Sequence, residues 1–180
     1  MHPAPSLLLI GFMASGKSTV GQLLSGRLSL PFVDTDALVE RRAGMTIPEI
    51  FKTQGETAFR DLEHEAARSL CSLGPSVIAT GGGLPTFARN VPHLRAAGPV
   101  VLLDRPFEAV WRQLAGDAGR PLAGGKSREV LLALYEMRLP LYRAAADIVV
   151  PSHATVRETA EAVLEAAKTL TLSSPPIARD

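Results

Sequence analysis

The stretch Leu7 to Val20, LLLIGFMASGKSTV, decides how the rest of the chain is read. Four apolar residues run unbroken to Ile10, the chain breaks at Gly11, and Val20, Leu23, Leu24 and Leu28 then recur at helical spacing. That is the pattern of a buried strand turning into a helix. At the junction stands Gly11-x-x-x-x-Gly16-Lys17-Ser18, the phosphate-binding P-loop pattern. Each fixed position answers a physical need. Glycines allow a fold tight enough to turn successive N–H groups toward phosphate oxygens, and the positive end of the following helix adds to the attraction. An ammonium at Lys17 reaches the β- and γ-phosphates, and a hydroxyl at Ser18 is a ligand for Mg²⁺. A glycine-rich turn with a surface lysine would share these letters, but not the strand before it and the helix after it.

Outward from that stretch, apolar runs recur at Pro31 to Val33, Val77 to Ala79, Pro99 to Leu103 and Ile148 to Val150, with helical patterns between them. The runs are continuous rather than alternating, as in strands buried on both faces, so the chain predicts an α/β fold with a five-stranded parallel sheet covered by helices. Thr46-Ile-Pro-Glu49 and Thr155-Val-Arg-Glu158 have capping-box spacing and mark two helix starts. Stripes at Phe107, Val110, Trp111 and Leu114, and at Val156, Ala160, Val163, Leu164 and Ala167, read as core-facing. A length of 180 residues with 46% hydrophobic content fits one domain. Its bounds are expected at about 1–170, with a flexible tail at 171–180 where the sequence turns to Ser, Pro and charged residues.

Composition excludes several classes. A net charge of +1 offers no footprint for nucleic acid or an anionic membrane. No apolar run near the start is long enough to span a bilayer, and Met1 to Ser6 lacks a basic leader region. The single Cys71 makes no internal disulfide and is expected to be a small buried hydrophobe. A cytoplasmic protein is expected.

Further chemistry clusters at four places. Asp34-Thr-Asp36 follows the second strand, and if the chain stays extended there both carboxylates share one side, where one can serve Mg²⁺ and the other a substrate hydroxyl. A helix cap at Asp36 explains the same letters. Arg60 and Arg138 lie on separate helical stretches and are candidate forks for an acidic substrate, with ordinary ion-paired arginines as the plain alternative. Gly81-Gly82-Gly83 lets backbone amides approach a ligand, or is simply a turn. Residues 116 to 127, with Arg120 among them, are glycine-rich and could close over a nucleotide.

Taken together, GFMASGKST, DTD at 34 to 36, FRDLE from Phe59, ATGGG ending at Gly83, RPL at 120 to 122 and RLPLY at 138 to 142 resemble shikimate kinases, in order and over nearly the whole chain from Leu7 to Ala167. The resemblance implies a three-layer P-loop fold of the nucleoside-monophosphate-kinase type, with a substrate-binding region at about 34–62 and a small lid at about 116–127. It implies transfer of the ATP γ-phosphoryl group to the 3-hydroxyl of shikimate, on the route to aromatic amino acids, by a monomer using ATP and Mg²⁺. Carried over by position, the amides of Ala14, Ser15, Gly16, Lys17, Ser18 and Thr19 would hold phosphates, with Lys17 also catalytic. Ser18 and Asp34 would serve the metal, and Asp36 would be the base at the reacting hydroxyl. Arg60, Arg138, Gly82 and Gly83 would bind shikimate, with Glu63 steadying Arg60. Arg120 would swing in from the lid, and Arg112 would lie beside adenine near the loop 151–154. Ala14 stands where many members have glycine, so an ordinary backbone angle is expected there.

Two other readings remain open on the sequence. A gluconate-type kinase shares the architecture, but a neutral sugar-like ring gives no reason for two clamp arginines. A noncatalytic sensor on the same scaffold should have lost at least one of Lys17, Ser18, Asp34, Asp36 and Arg120, and all are present.

Overall fold

The structure is a computed structural model and describes residues 6–116 and 127–173. Its strands are β1 (Leu7–Ile10), β2 (Phe32–Asp34), β3 (Val77–Ala79), β4 (Val100–Asp104) and β5 (Ile148–Pro151). They form one parallel sheet in the order β2-β3-β1-β4-β5. The helices are α1 (Lys17–Leu28), α2 (Thr35–Ala43), α3 (Ile47–Thr53), α4 (Gly55–Ser69), α5 (Val91–Ala97), α6 (Phe107–Gly116), α7 (Arg128–Ala145) and α8 (Val156–Ser173).

The unbroken apolar run of β1 has a direct cause. Leu8 and Ile10 face Ala67 of α4, Leu94 of α5, Val110 of α6 and Tyr142 of α7, whereas Leu7 and Leu9 face Val20 and Leu24 of α1 and Ala160 and Val163 of α8. Both faces are therefore covered, giving three layers. Leu8, Leu9 and Ile10 are fully buried, each worth about 1.5–3 kcal/mol in apolar burial. Val39, Ile50, Phe59 and Ala66 form a separate small core that joins α2, α3 and α4 beside the β2 edge. The two expected capping boxes are present as carboxylate contacts: Glu49 accepts from the Thr46 amide at 2.8 Å, and Glu158 from the Thr155 amide at 2.9 Å.

All five strands end on the same side, so the loops after Ile10, Asp34, Ala79, Asp104 and Pro151 share one rim. The chain order reverses across β1, which lies between β3 and β4. Open α/β sheets bind ligands at such a reversal.

Several expectations are corrected. The chain does not stay extended through Asp34-Thr-Asp36: α2 begins at Thr35, so Asp34 is the N-cap and Asp36 lies in the first helical turn. Ala14 takes φ 56°, in the left-handed region, instead of an ordinary angle. Cys71 is exposed rather than buried, because it sits on a short 3-10 turn at the surface. Leu28 is 39% exposed at the end of α1, and Trp111 is only half-buried because Phe107 and Val110 occupy the inner face of α6. Helix α8 runs to Ser173 and so takes in the first residues of the expected tail, while 174–180 lie outside the described residues. Among the described residues, no helix is long and apolar enough to cross a membrane.

Candidate active site

The phosphate loop is built on backbone angles that its sequence makes affordable at only some positions. Gly11 has φ 144°, and a Cβ there would come within 2.8 Å of the Leu103 carbonyl of β4. Ala14, by contrast, holds a left-handed angle with a side chain in place, at a cost of about 1–2 kcal/mol. Helix α1 starts when Val20 N–H donates to Gly16 O at 2.9 Å. Lys17 reaches back over the loop, its Nζ donating to Gly11 O at 2.9 Å and Phe12 O at 2.8 Å. Burial of the ammonium lowers its pKa to about 8, with Asp36 and Asp34 pulling the other way. Ser15 Oγ is buried with no partner among the described residues.

Both carboxylates of the second motif converge on this loop. Asp34 accepts from the Asp36 amide at 2.9 Å through one oxygen and from the Ser18 hydroxyl at 3.2 Å through the other. Asp36 lies against the next loop so closely that a Cβ at Gly81 would overlap its carboxylate. That loop is pinned by Gly81 N–H, which donates to the buried Thr35 Oγ1 at 2.8 Å. Burial raises the Asp36 pKa above the ordinary carboxylate value, and the neighbouring Asp34 charge adds to the rise.

The two arginines approach adjacent glycines. Arg60 Nη1 donates to Glu63 at 2.6 Å, and its Nη2 donates to Glu56 at 2.9 Å. Glu63 is 1% exposed, so α4 carries a buried carboxylate that pairs with this guanidinium. Burial raises the Glu63 pKa, against the pull of Arg60. A Cβ at Gly83 would overlap Arg60 Nη1, and one at Gly82 would stand 3.9 Å from Arg138 Nη1 and 3.8 Å from Tyr142 Oη. Tyr142 donates to Gly82 O at 2.6 Å. Arg60 and Arg138 are both walls of one cavity of ≈ 460 Å³, closed on its apolar side by Phe51, Phe87, Met137 and Leu141.

On the other side of the P-loop lie two adjoining cavities. One of ≈ 190 Å³ is lined by Ser15, Gly16 and Thr19 and by the loop 152–156. The other, of ≈ 730 Å³, is lined by Arg105, Arg112, Gln113 and the exposed His153. A trough thus leads from the phosphate loop to Arg112. Arg120 and the segment 117–126 of the expected lid lie outside the described residues.

Sequence reasoning missed Tyr142, Arg105 and Gln113. Tyr142 was accessible in principle, since it stands four residues after Arg138 on α7 and shares its helix face. Arg105 follows β4 directly, on the rim that binds ligands, but nothing in the letters tied it to the P-loop.

A phosphate loop and a cavity walled by two arginines, with the half-buried Asp36 between them, define a P-loop small-molecule kinase. A family model described as shikimate kinase matches residues 13–168. A shikimate kinase from Xanthomonas campestris is 39% identical over 98% of this chain and 99% of that protein, and one from Dehalococcoides mccartyi is 40% identical over 85% and 87%. The solved shikimate kinase of Acinetobacter baumannii, in complex with shikimate, superposes with a TM-score of 0.85 at 36% identity over 94% of this chain and 96% of that one. The chain belongs to the shikimate kinase family. A gluconokinase from Sinorhizobium meliloti, with a TM-score of 0.61 at 18% identity over 95% of this chain and 98% of that one, shares the fold alone.

Proposed function

We propose that this protein transfers the γ-phosphoryl group of ATP to the 3-hydroxyl of shikimate, releasing shikimate 3-phosphate and ADP. The observation that carries the reading is the meeting of Arg60 and Arg138 in one cavity, with Asp36 against the Gly81 end of the loop they share. A carboxylate ring acid fits two forked guanidinium groups, which grip it in a fixed orientation. Asp36 then stands between that ring and the phosphate loop, as the group that accepts the proton from the reacting hydroxyl. Burial and the Asp34 charge raise its pKa, which makes it a better proton acceptor than a solvated aspartate. Lys17 and the loop amides hold the β- and γ-phosphates. Catalysis is mostly alignment and charge neutralisation, since the transferring phosphoryl group needs little covalent help.

The donor set near the loop suits Mg²⁺. Ser18 Oγ and Asp34 Oδ2 are hard oxygen donors already 3.2 Å apart, and among the described residues no cluster of three or more His, Cys, Asp or Glu is arranged to cage a metal. Mg²⁺ is commonly held by one or two side chains, the substrate phosphates and water. Ser18 would bind it directly and Asp34 through water; the ion supplies neutralisation of phosphate charge.

The test is direct. The purified chain with ATP and Mg²⁺ should release ADP in the presence of shikimate and not of gluconate, with phosphorus NMR reporting an ester at the 3-position. ADP release driven by gluconate, or by neither acid, would overturn the proposal.

A further inference from the structure

Arg105 sits between the base end and the phosphate end of the trough and is used by neither assignment above. Its Nη1 donates to the Ala14 carbonyl at 2.9 Å and to Gln113 Oε1 at 2.5 Å. Its Nε and Nη2 have no partner, and no carboxylate pairs with it, among the described residues. Its contacts go instead to a neutral backbone carbonyl and a side-chain amide inside the trough.

That carbonyl is a special one. Ala14 holds the left-handed angle φ 56° despite its Cβ, and no backbone N–H among the described residues reaches its oxygen. A loop whose N–H groups must face phosphate turns its carbonyls outward, and those carbonyls need donors of their own. Arg105 is in turn fixed from behind. Tyr135 of α7 donates to Arg105 O at 3.0 Å, and the Tyr135 ring meets Phe12, two residues before Ala14, edge-on at 5.3 Å. Phe12, Tyr135, Arg105 and Ala14 thus close a circuit that ties the loop to the end of β4 and to α7, with Gln113 of α6 as a side support.

We propose that Arg105 is a positioning residue for the phosphate loop, holding the strained Ala14 peptide so that the loop amides are presented to phosphate. The inference rests on the nucleotide-binding reading and goes beyond it, because it assigns the phosphate grip partly to a residue about ninety positions away that touches no phosphate.

Calorimetric titration of ADP, tripolyphosphate and adenosine into the wild-type chain, Arg105→Ala, Arg105→Lys and Tyr135→Phe tests it. Loss of a charge-assisted hydrogen bond predicts that Arg105→Ala binds both ADP and tripolyphosphate about tenfold more weakly, with adenosine affinity and the KM for shikimate changed less than about twofold. Arg105→Lys, which keeps a charged donor but not the planar fork, should recover part of the loss. Tyr135→Phe leaves every charge in place and should weaken the same two phosphate ligands by a few fold. The deficit should persist at 0.5 M salt, where a charge acting through solvent would be screened. A loss confined to adenosine, a deficit that vanishes in salt, or unchanged tripolyphosphate binding in Arg105→Ala and Tyr135→Phe would each overturn the inference. Failure of the wild-type chain to bind either phosphate ligand would remove the nucleotide reading itself, and the inference with it.

Discussion

Replacing Gly83 by alanine puts a methyl group onto Arg60 Nη1, and the consequences can be worked out from the geometry. Gly83 has φ −87° and ψ −31°, an ordinary helical angle, so alanine brings no backbone strain. The collision is with the far end of a flexible side chain, which moves at little cost to the fold. That same end carries the proposed grip on the substrate carboxylate. The guanidinium holds its place through a 2.6 Å bond to the buried Glu63, and a displaced guanidinium loses that bond or its aim at the substrate carboxylate. A hydrogen bond of this charged kind is worth about 1.5–3 kcal/mol, so kcat/KM for shikimate should fall by about 10- to 100-fold. The KM for ATP should stay within about twofold, because the loop 11–19 is untouched. The melting temperature should drop by about 2–4 °C, reflecting roughly 1 kcal/mol from the poorly paired Glu63. Steady-state kinetics with each substrate varied in turn, together with a thermal melt, gives all three numbers. An unchanged kcat/KM for shikimate would refute the placement of Arg60 against Gly83, and an equal loss on the ATP side would show that the damage is not local.

Asp36→Asn should lower kcat by about 10²–10⁴ if the carboxylate is the base, yet stabilise the fold. The Asp36 pKa is raised in the folded state, so the stability it allows is full below the ordinary aspartate pKa and is lost as pH rises through the folded value. Asparagine escapes that loss, so the variant should melt higher than wild type near neutrality and no higher at about pH 3.5; calorimetry at the two pH values decides it. Arg138→Lys keeps the charge but loses the fork, predicting a KM for shikimate roughly 10- to 100-fold higher with ATP affinity hardly moved. For Lys17, a pKa of about 8 in the free protein means that a bound polyphosphate, which favours the ammonium, should draw in a proton near that pH. Binding enthalpies of ADP measured in buffers of different ionisation heat should reveal the uptake, affinity should weaken above about pH 8, and Lys17→Met should abolish both effects.

How much of this was legible beforehand differs by element. The P-loop was readable because a strand, a glycine turn and a helix are adjacent in sequence, and the letters at 11 to 18 are tied to one local conformation. The unbroken apolar runs likewise announced strands covered on both faces, and the boxes at Thr46 and Thr155 announced helix starts, since these signals depend on neighbours within a few residues. The Asp34-Thr-Asp36 segment misled because its letters allow either an extended pair or a helix cap; the structure takes the cap, with Asp34 rather than Asp36 as the capping residue. Ala14 misled because its left-handed angle is stabilised by tertiary partners that the loop sequence does not contain.

The sequence by itself determined the parallel α/β sheet and the phosphate loop, because periodicity and short-range sterics operate along the chain. Only the tertiary structure decided that Arg60 and Arg138, far apart in sequence, wall the same cavity, that Glu63 and Tyr142 brace them there, and that Arg105 reaches Ala14. Those relations depend on the strand order β2-β3-β1-β4-β5 and on the helices packed over it. Contacts between distant segments are set by the joint packing of the whole core, and no single stretch of letters carries that information.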